Sequence, residues 1–350
     1  AHLFQPCPGI RAGHVYRVSA WVKGGPAGIG FYEYFPEGVI KTPTILNASD
    51  ASEQWRELSA YYAPEGVGFR SASIAIMVPD KTTVEVDDVT ITSAPSLDIP
   101  ADARPIAIET DLSRLTLAPD GRLQEFVCKA TGRNYAPTEG AVSLFKASGP
   151  AGPIPIRYVT RQGSVLDVQF ADPTVRASLR IDTHPAYFTL TVRSVTGDVD
   201  WLQLCDLRPT VSGTIGTLVN AAWDQSFATC VLACNDRTHS FGASEAEPML
   251  MARCYREYGM PGARIAVIGT PLQPEGSTDA LLDAIERVEL DQGLPHPMMD
   301  GVWIKRAPQR FSSYLMAAGA AEGNIDEVVE FAKGGFGCVE LMNWWESTPT

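Results

Sequence analysis

Near the end of the chain, Asn343-Trp344-Trp345-Glu346 sets two rings between a carboxamide and a carboxylate. Sugar binding calls for that mix, because rings stack on the C–H face of a pyranose while polar groups take up its hydroxyls. A second aromatic run, Phe31-Tyr32-Glu33-Tyr34-Phe35, puts Tyr32 and Tyr34 on one face of an extended segment. They are a candidate stacking platform, although the same rings would serve equally to fill a core or cover a loop. Asp87 and Asp88 offer oxygens to a structural calcium ion, which takes about six to eight of them. Neighbours on a strand face opposite ways, so at most one would bind, and a pair of solvated carboxylates competes with that reading. No other cofactor is called for.

Histidine would matter if protons were to be moved. His184 lies between Thr183 and Pro185 at a strand end, and His239 follows Asn235-Asp236-Arg237, which reads as a loop. Both are expected to be structural or surface residues. Trp201 and Trp223-Asp224 would suit a groove, but tryptophan in a sandwich more often belongs to the core. The seven cysteines are scattered, and Cys230-x-x-x-Cys234 lacks further zinc partners. Most of them read as buried small hydrophobes.

What must position these groups is mostly β. The chain has 350 residues, 45% of them hydrophobic, with 30 Gly and 26 Pro, room for two or three domains of short strands. A net charge of −13 gives no electrostatic footprint for nucleic acid, and no apolar run is long enough for a membrane span. Residues 15–23 alternate with period two, and 28–35, 57–62, 71–78 and 83–92 repeat the pattern, which predicts an antiparallel sandwich over 1–93. Residues 94–105 carry three prolines without periodicity and read as a semi-rigid linker. Strands then resume at 106–110, 112–117, 123–129, 165–170, 177–183 and 187–194. They predict a larger sandwich over 106–261 with no long helix inside 110–240.

Two resemblances accompany this pattern. Tyr16-Arg-Val-Ser-Ala-Trp-Val-Lys23, Trp55-Arg-Glu-Leu58, Ala63-Pro64 and Val86-Asp87-Asp88-Val89 resemble the jelly-roll carbohydrate-binding modules attached to polysaccharide-degrading enzymes. That family usually has a strand before the position of Ala1, which implies a chain starting inside the domain. Ile108-Glu-Thr and the run from Leu115 through Asp120-Gly121 and Lys129-Ala-Thr-Gly132 to Ala136 resemble the start of the galactose-mutarotase-like supersandwich. The resemblance implies a fold that often precedes a catalytic barrel in α-glycosidases. His184 and His239 lack the flanking pattern of mutarotase catalytic residues.

From residue 262 the period changes. A helix is expected over 277–291 with Leu281, Leu282, Ile285 and Val288 inward, a strand over 312–318, and a helix capped by Asn324 with Glu327 closing a capping box. Ile325, Val328, Val329 and Ala332 form its stripe, Gly334-Gly335 ends it, and a strand over 337–342 completes a β-α-β unit. Gly301-Val-Trp-Ile-Lys305 resembles the approach to the barrel of α-galactosidase-like hydrolases. Residues 262–350 thus read as the start of a (β/α)8 barrel, cut short at Thr350, with Asn343, Trp344, Trp345 and Glu346 in a mouth loop. The catalytic carboxylates would lie beyond Thr350, since Glu340 is mid-strand and Glu346 has no partner across a scissile bond. The expected protein is the front of a secreted, periplasmic or cell-surface glycoside hydrolase, with carbohydrate as its partner and this portion alone inactive. A non-enzymatic glycan-binding or surface-assembly protein is the alternative. A polysaccharide lyase is a second one, disfavoured by acidity and the lack of a basic cleft signature.

Overall fold

The computed structural model describes residues 2–342 except 12–13, 65–68, 94–98, 101, 138–142, 151, 212, 217–219, 243–247, 273–276, 308–313, 319–323 and 334–337. The chain divides into two compact units, Ala1–Val288 and Glu289–Thr350. No helix among the described residues is long and apolar enough to cross a membrane.

The first unit opens with β1 (His2–Cys7), β2 (Tyr16–Gly24), β3 (Ala27–Tyr34), β4 (Ile40–Ser49), β5 (Ser52–Tyr62), β6 (Ser71–Met77) and β7 (Val84–Ser93). They form two antiparallel sheets, ordered β1-β6-β3-β4 and β5-β2-β7. In β2 the alternation carries through: Val18, Ala20 and Val22 are buried, while Arg17 and Trp21 face out. Phe31 of one sheet stacks on Tyr62 of the other with centroids 3.7 Å apart and planes 7° from parallel. The Tyr62 hydroxyl donates to the buried Glu33 carboxylate at 2.9 Å, and Lys41 lies 3.6 Å from that carboxylate. A charge is tolerated there because it is both bonded and paired.

There follow β8 (Ile106–Glu109), β9 (Ser113–Leu117), β10 (Leu123–Cys128), β11 (Lys146–Gly149), β12 (Gly152–Ile154), β13 (Ile156–Gln162), β14 (Val165–Phe170) and β15 (Arg176–Thr183). Next come β16 (Tyr187–Thr196), β17 (Trp201–Leu207), β18 (Thr214–Gly216), β19 (Ala221–Trp223), β20 (Phe227–Ala233), β21 (Thr238–Gly242), β22 (Leu250–Tyr255) and β23 (Arg264–Pro271). The sheets run β13-β14-β15-β16-β23-β20-β19-β18, β12-β11-β17-β22-β21 and β10-β9-β8. Side chains from all three fill one continuous apolar core, including Phe126, Phe188, Leu190, Leu204, Ala252, Ile265 and Val267. The Asp120-Gly121 hairpin joins β9 to β10, and Gly121 supplies the left-handed conformation (φ +78°) that the turn needs. Among the described residues no long helix enters 110–240.

A division at 262 does not hold. β23 sits between β16 and β20 in the middle of the eight-stranded sheet, antiparallel to both. The small sandwich and the large sheets share the first unit and touch along a seam. Gly152, at φ +91°, passes so near β4 that a Cβ there would stand 2.1 Å from the Leu46 carbonyl oxygen. Tyr61 meets Asp172 across the seam, where burial first, and then the Asp172 charge, hold the phenol above its ordinary pKa.

Cys128, Cys205, Cys230, Cys234 and Cys254 are buried thiols, and Cys7 is half-buried. Burial pushes Cys234 and Cys254 up to about 12 and raises Cys205 further. Thiolate is therefore scarce in all three at pH 8. A neutral alkylating reagent should leave these five unmodified in the native protein and label them on unfolding. Native-state modification of Cys205 or Cys254, read by peptide mass, would contradict this packing.

Helix α1 (Asp279–Gln292) begins at Ser277, whose hydroxyl accepts from the Asp279 N–H at 3.2 Å. Its buried stripe is Leu281, Ala284, Ile285, Val288 and Glu289, with Leu282 at the margin. In the second unit, β24 (Met298–Met299) and β25 (Val302–Trp303) make a short hairpin. β26 (Tyr314–Ala318), α2 (Ile325–Ala332) and β27 (Cys338–Met342) follow, with β26 and β27 paired in parallel. Asn324 occupies the N-cap of α2, but its side chain makes no capping hydrogen bond, so the expected capping box is not formed. Gly334 and Gly335 lie outside the described residues.

Candidate functional site

Tyr32 and Tyr34 lie on β3, where Phe31 and Glu33 alternate with them into the core. The register carries the outward face across three strands without a break. Phe4, Ala75 and Gly30 form one cross-strand row, and Pro6, Ser73 and Tyr32 the next. Ser73 and Ala75 point outward yet are only 1% and 0% exposed. The rings above cover them, and small residues beneath leave space for those rings. Ser73 Oγ donates to the Tyr34 hydroxyl at 3.1 Å, and His2 Nδ1 pairs with the Tyr32 hydroxyl. Phe4 meets Tyr32 edge-on, with centroids 6.0 Å apart and planes at 67°. On the far side, Ile40 and Ile45 of β4 stay more than half exposed, as Phe4 does at 57%. The face is thus a set of anchored, half-open rings flanked by exposed apolar side chains.

The opposite sheet carries a second aromatic pair. Trp21 on β2 and Trp55 on β5 are about two-fifths exposed, at 40% and 41%. Lys23 lies 5.9 Å from the Trp55 centroid and 3.5 Å from Glu85. Neither ring is assigned a role from the sequence; the signal in Trp21 is a tryptophan at a solvent-facing position of a period-two strand.

Asp87 and Asp88 sit on a bulge. The β2–β7 register slips beside them, Asp88 takes φ +47°, and Asp87 Oδ1 accepts the Asp88 N–H at 2.8 Å. Their carboxylates are exposed, and among the described residues no three His, Cys, Asp or Glu side chains gather around a common point. One oxygen of the Asp87 carboxylate is thus already bonded within its own bulge.

His184 stacks on Tyr187, with centroids 4.3 Å apart and planes at 9°, as a structural residue at its strand end would. His239 is in β21 rather than in a loop, because the strand begins at Thr238. It is exposed beside Phe241, at 5.0 Å. Trp201 is only partly buried and carries the Arg253 guanidinium over its ring at 4.2 Å. Asp224 accepts the N–H groups of Ser226 and Phe227, a turn role. Asn343, Trp344, Trp345 and Glu346 lie outside the described residues. Glu340 is in β27 opposite Met316.

No known family profile matches the chain, and no curated protein matches it. Among solved structures it is similar to the CBM22-1 xylan-binding domain from Paenibacillus barcinonensis Xyn10C, at 20% identity and a TM-score of 0.21. That likeness covers 24% of this chain and 58% of that domain. It is also similar to the N-terminal CBM22-1-CBM22-2 tandem domain of the same protein, at 11% identity and a TM-score of 0.27, over 79% of this chain and 78% of that one. Likenesses this slight transfer neither a ligand nor a residue role.

Proposed function

We propose that the chain binds carbohydrate through the outward face of the β1-β6-β3-β4 sheet, with Tyr32 and Tyr34 as the stacking rings. One observation carries this reading: two tyrosines held by their hydroxyls stay half-open above buried Ser73 and Ala75. An anchored ring loses little rotamer freedom when a sugar stacks on it.

The finer reading makes the chain the front of a glycoside hydrolase acting on a poly- or oligosaccharide outside the cytoplasm. Its large sheets would be a supersandwich, and its second unit the start of a (β/α)8 barrel. Support for the barrel comes from the parallel β26–α2–β27 unit, the building block of such folds. Hydrolysis would then rest on a carboxylate pair at later strand ends.

The test is a glycan screen by calorimetry on the full chain. Tyr32→Ala and Tyr34→Ala should each weaken binding roughly ten- to a hundredfold, equivalent to about 1.4–2.7 kcal/mol, with little change in melting. Unaltered affinity in both variants would defeat the tyrosine face. If Trp21→Ala or Trp55→Ala abolished binding instead, the ligand would belong on the other sheet.

A further inference from the structure

A row of polar side chains crosses the five-stranded sheet of the large core. Lys146 lies opposite Gln203, Gln203 opposite Arg253, and Arg253 opposite His239. The adjoining row, Ala147, Leu202 and Cys254, is buried in the core, so the polar row faces the other way. Arg253 is fixed from three directions. Its guanidinium lies 4.2 Å from the Trp201 centroid and 5.0 Å from that of Phe241, and its Nε donates to Gln203 Oε1 at 3.0 Å. Among the described residues, neither terminal guanidinium nitrogen meets an acceptor.

Gln203 is fully buried, and with its carbonyl given to Arg253, its Nε2 has no hydrogen-bond partner among the described residues. Buried amides seldom stand so, and this one shares its place with unspent guanidinium donors. The carboxylate of Asp206 does not serve them, because it is held by Lys146 at 3.2 Å and Arg208 at 3.0 Å. A fixed guanidinium fork with an adjacent amide donor matches a planar, two-oxygen anion. Trp201 and Tyr255, opposite one another in the next outward row, add apolar surface of the kind a pyranose face meets.

We propose that this face binds a carboxylated sugar, a hexuronate, with Arg253 gripping the carboxylate. It is a second site, independent of the tyrosine face on the small sandwich. The chain's net charge of −13 suits one isolated carboxylate better than a densely charged polyphosphate.

The experiment titrates the full chain with a galacturonate or glucuronate trisaccharide, the methyl ester of the same trisaccharide, and acetate. The acid should bind at least tenfold more tightly than the ester. Arg253→Lys, which keeps the charge but loses the fork, should lose at least tenfold for the acid alone. Equal binding of acid and ester would overturn the proposal, as would an Arg253→Lys variant within twofold of the unaltered protein. Acetate binding as tightly as the trisaccharide would overturn the sugar component. The ester comparison uses the unaltered chain and so reads the carboxylate even where the substitution disturbs folding.

Discussion

Phe227→Ala should cost the first unit about 3–5 kcal/mol of stability, the range for truncating a buried aromatic. Phe227 is fully buried in β20 and meets Phe126 of β10 edge-on, with centroids 5.3 Å apart and planes at 80°. On another side it stacks with Tyr135, at 4.3 Å and 18°. The Tyr135 hydroxyl shares a 2.9 Å hydrogen bond with Ser226, the residue before Phe227. The three rings therefore tie the three-stranded sheet to the eight-stranded one, and the hydroxyl fixes their spacing. Close approach is built into the strands as well: a Cβ at Gly269 would lie 2.8 Å from Phe126. Phe227→Leu keeps most of the apolar volume but loses the ring geometry, so it should cost only about 1–1.5 kcal/mol. Urea unfolding of both variants separates area from geometry. A loss below about 1 kcal/mol for Phe227→Ala would mean that the ring cluster does not hold the sheets together.

The strands of the first unit were legible where one face is buried and the other wet. β2 reads from its alternation alone, because Val18, Ala20 and Val22 have only one direction in which to leave water. Edge strands gave no such signal. β1 and β4 flank the four-stranded sheet, contain Pro6 and Pro43, and carry exposed side chains, which an edge tolerates and a pattern search passes over. β23 failed for the opposite reason. Buried along nearly its whole length, it reads as a continuous apolar run, and such a run does not say which sheet it will join. The boundary expected at 262 followed the change of period, which sets in only after β23, at α1.

The candidate sites divide along the same line. Tyr32 and Tyr34 were visible as alternating aromatics beside a core-facing Phe31. The Arg253 row was not, because it exists only across strands distant in sequence, and a bulge between Gln203 and Cys205 shifts the phase of β17. Beyond that bulge it is Asp206, opposite Met251, that faces outward with Gln203, where strict alternation would have put Cys205. At Asp87 and Asp88 a register break intervenes again, and the bulge takes one carboxylate oxygen for its own N–H.

Glu289 illustrates a buried charge that the helical pattern announces, and its removal should have a comparably large effect. It continues the stripe of Ile285 and Val288 in α1, where an apolar residue would be expected, and it is only 6% exposed. Its carboxylate accepts from Trp303 Nε1 at 2.9 Å, meets His296 Nδ1 at 3.1 Å and pairs with Lys305. Trp303 is itself 2% exposed, with His296 stacked on its ring at 5.6 Å and Lys305 over it at 4.8 Å. Glu289→Ala would strand the indole N–H and the Lys305 charge together, and removing one member of a buried pair costs on the order of 3 kcal/mol. Glu289→Gln retains a carbonyl for Trp303 but sets an amide against Lys305, so about half that cost is expected. Because the carboxylate is shielded, raising the salt to about 1 M should leave the difference between variants nearly unchanged, unlike a surface pair. Denaturant unfolding of both variants at low and high salt, followed by Trp303 fluorescence, gives the readout. A Glu289→Ala cost under about 0.5 kcal/mol, or one that vanishes in salt, would show the cluster to be a solvated ion pair and not the polar anchor that seats the β24–β25 hairpin.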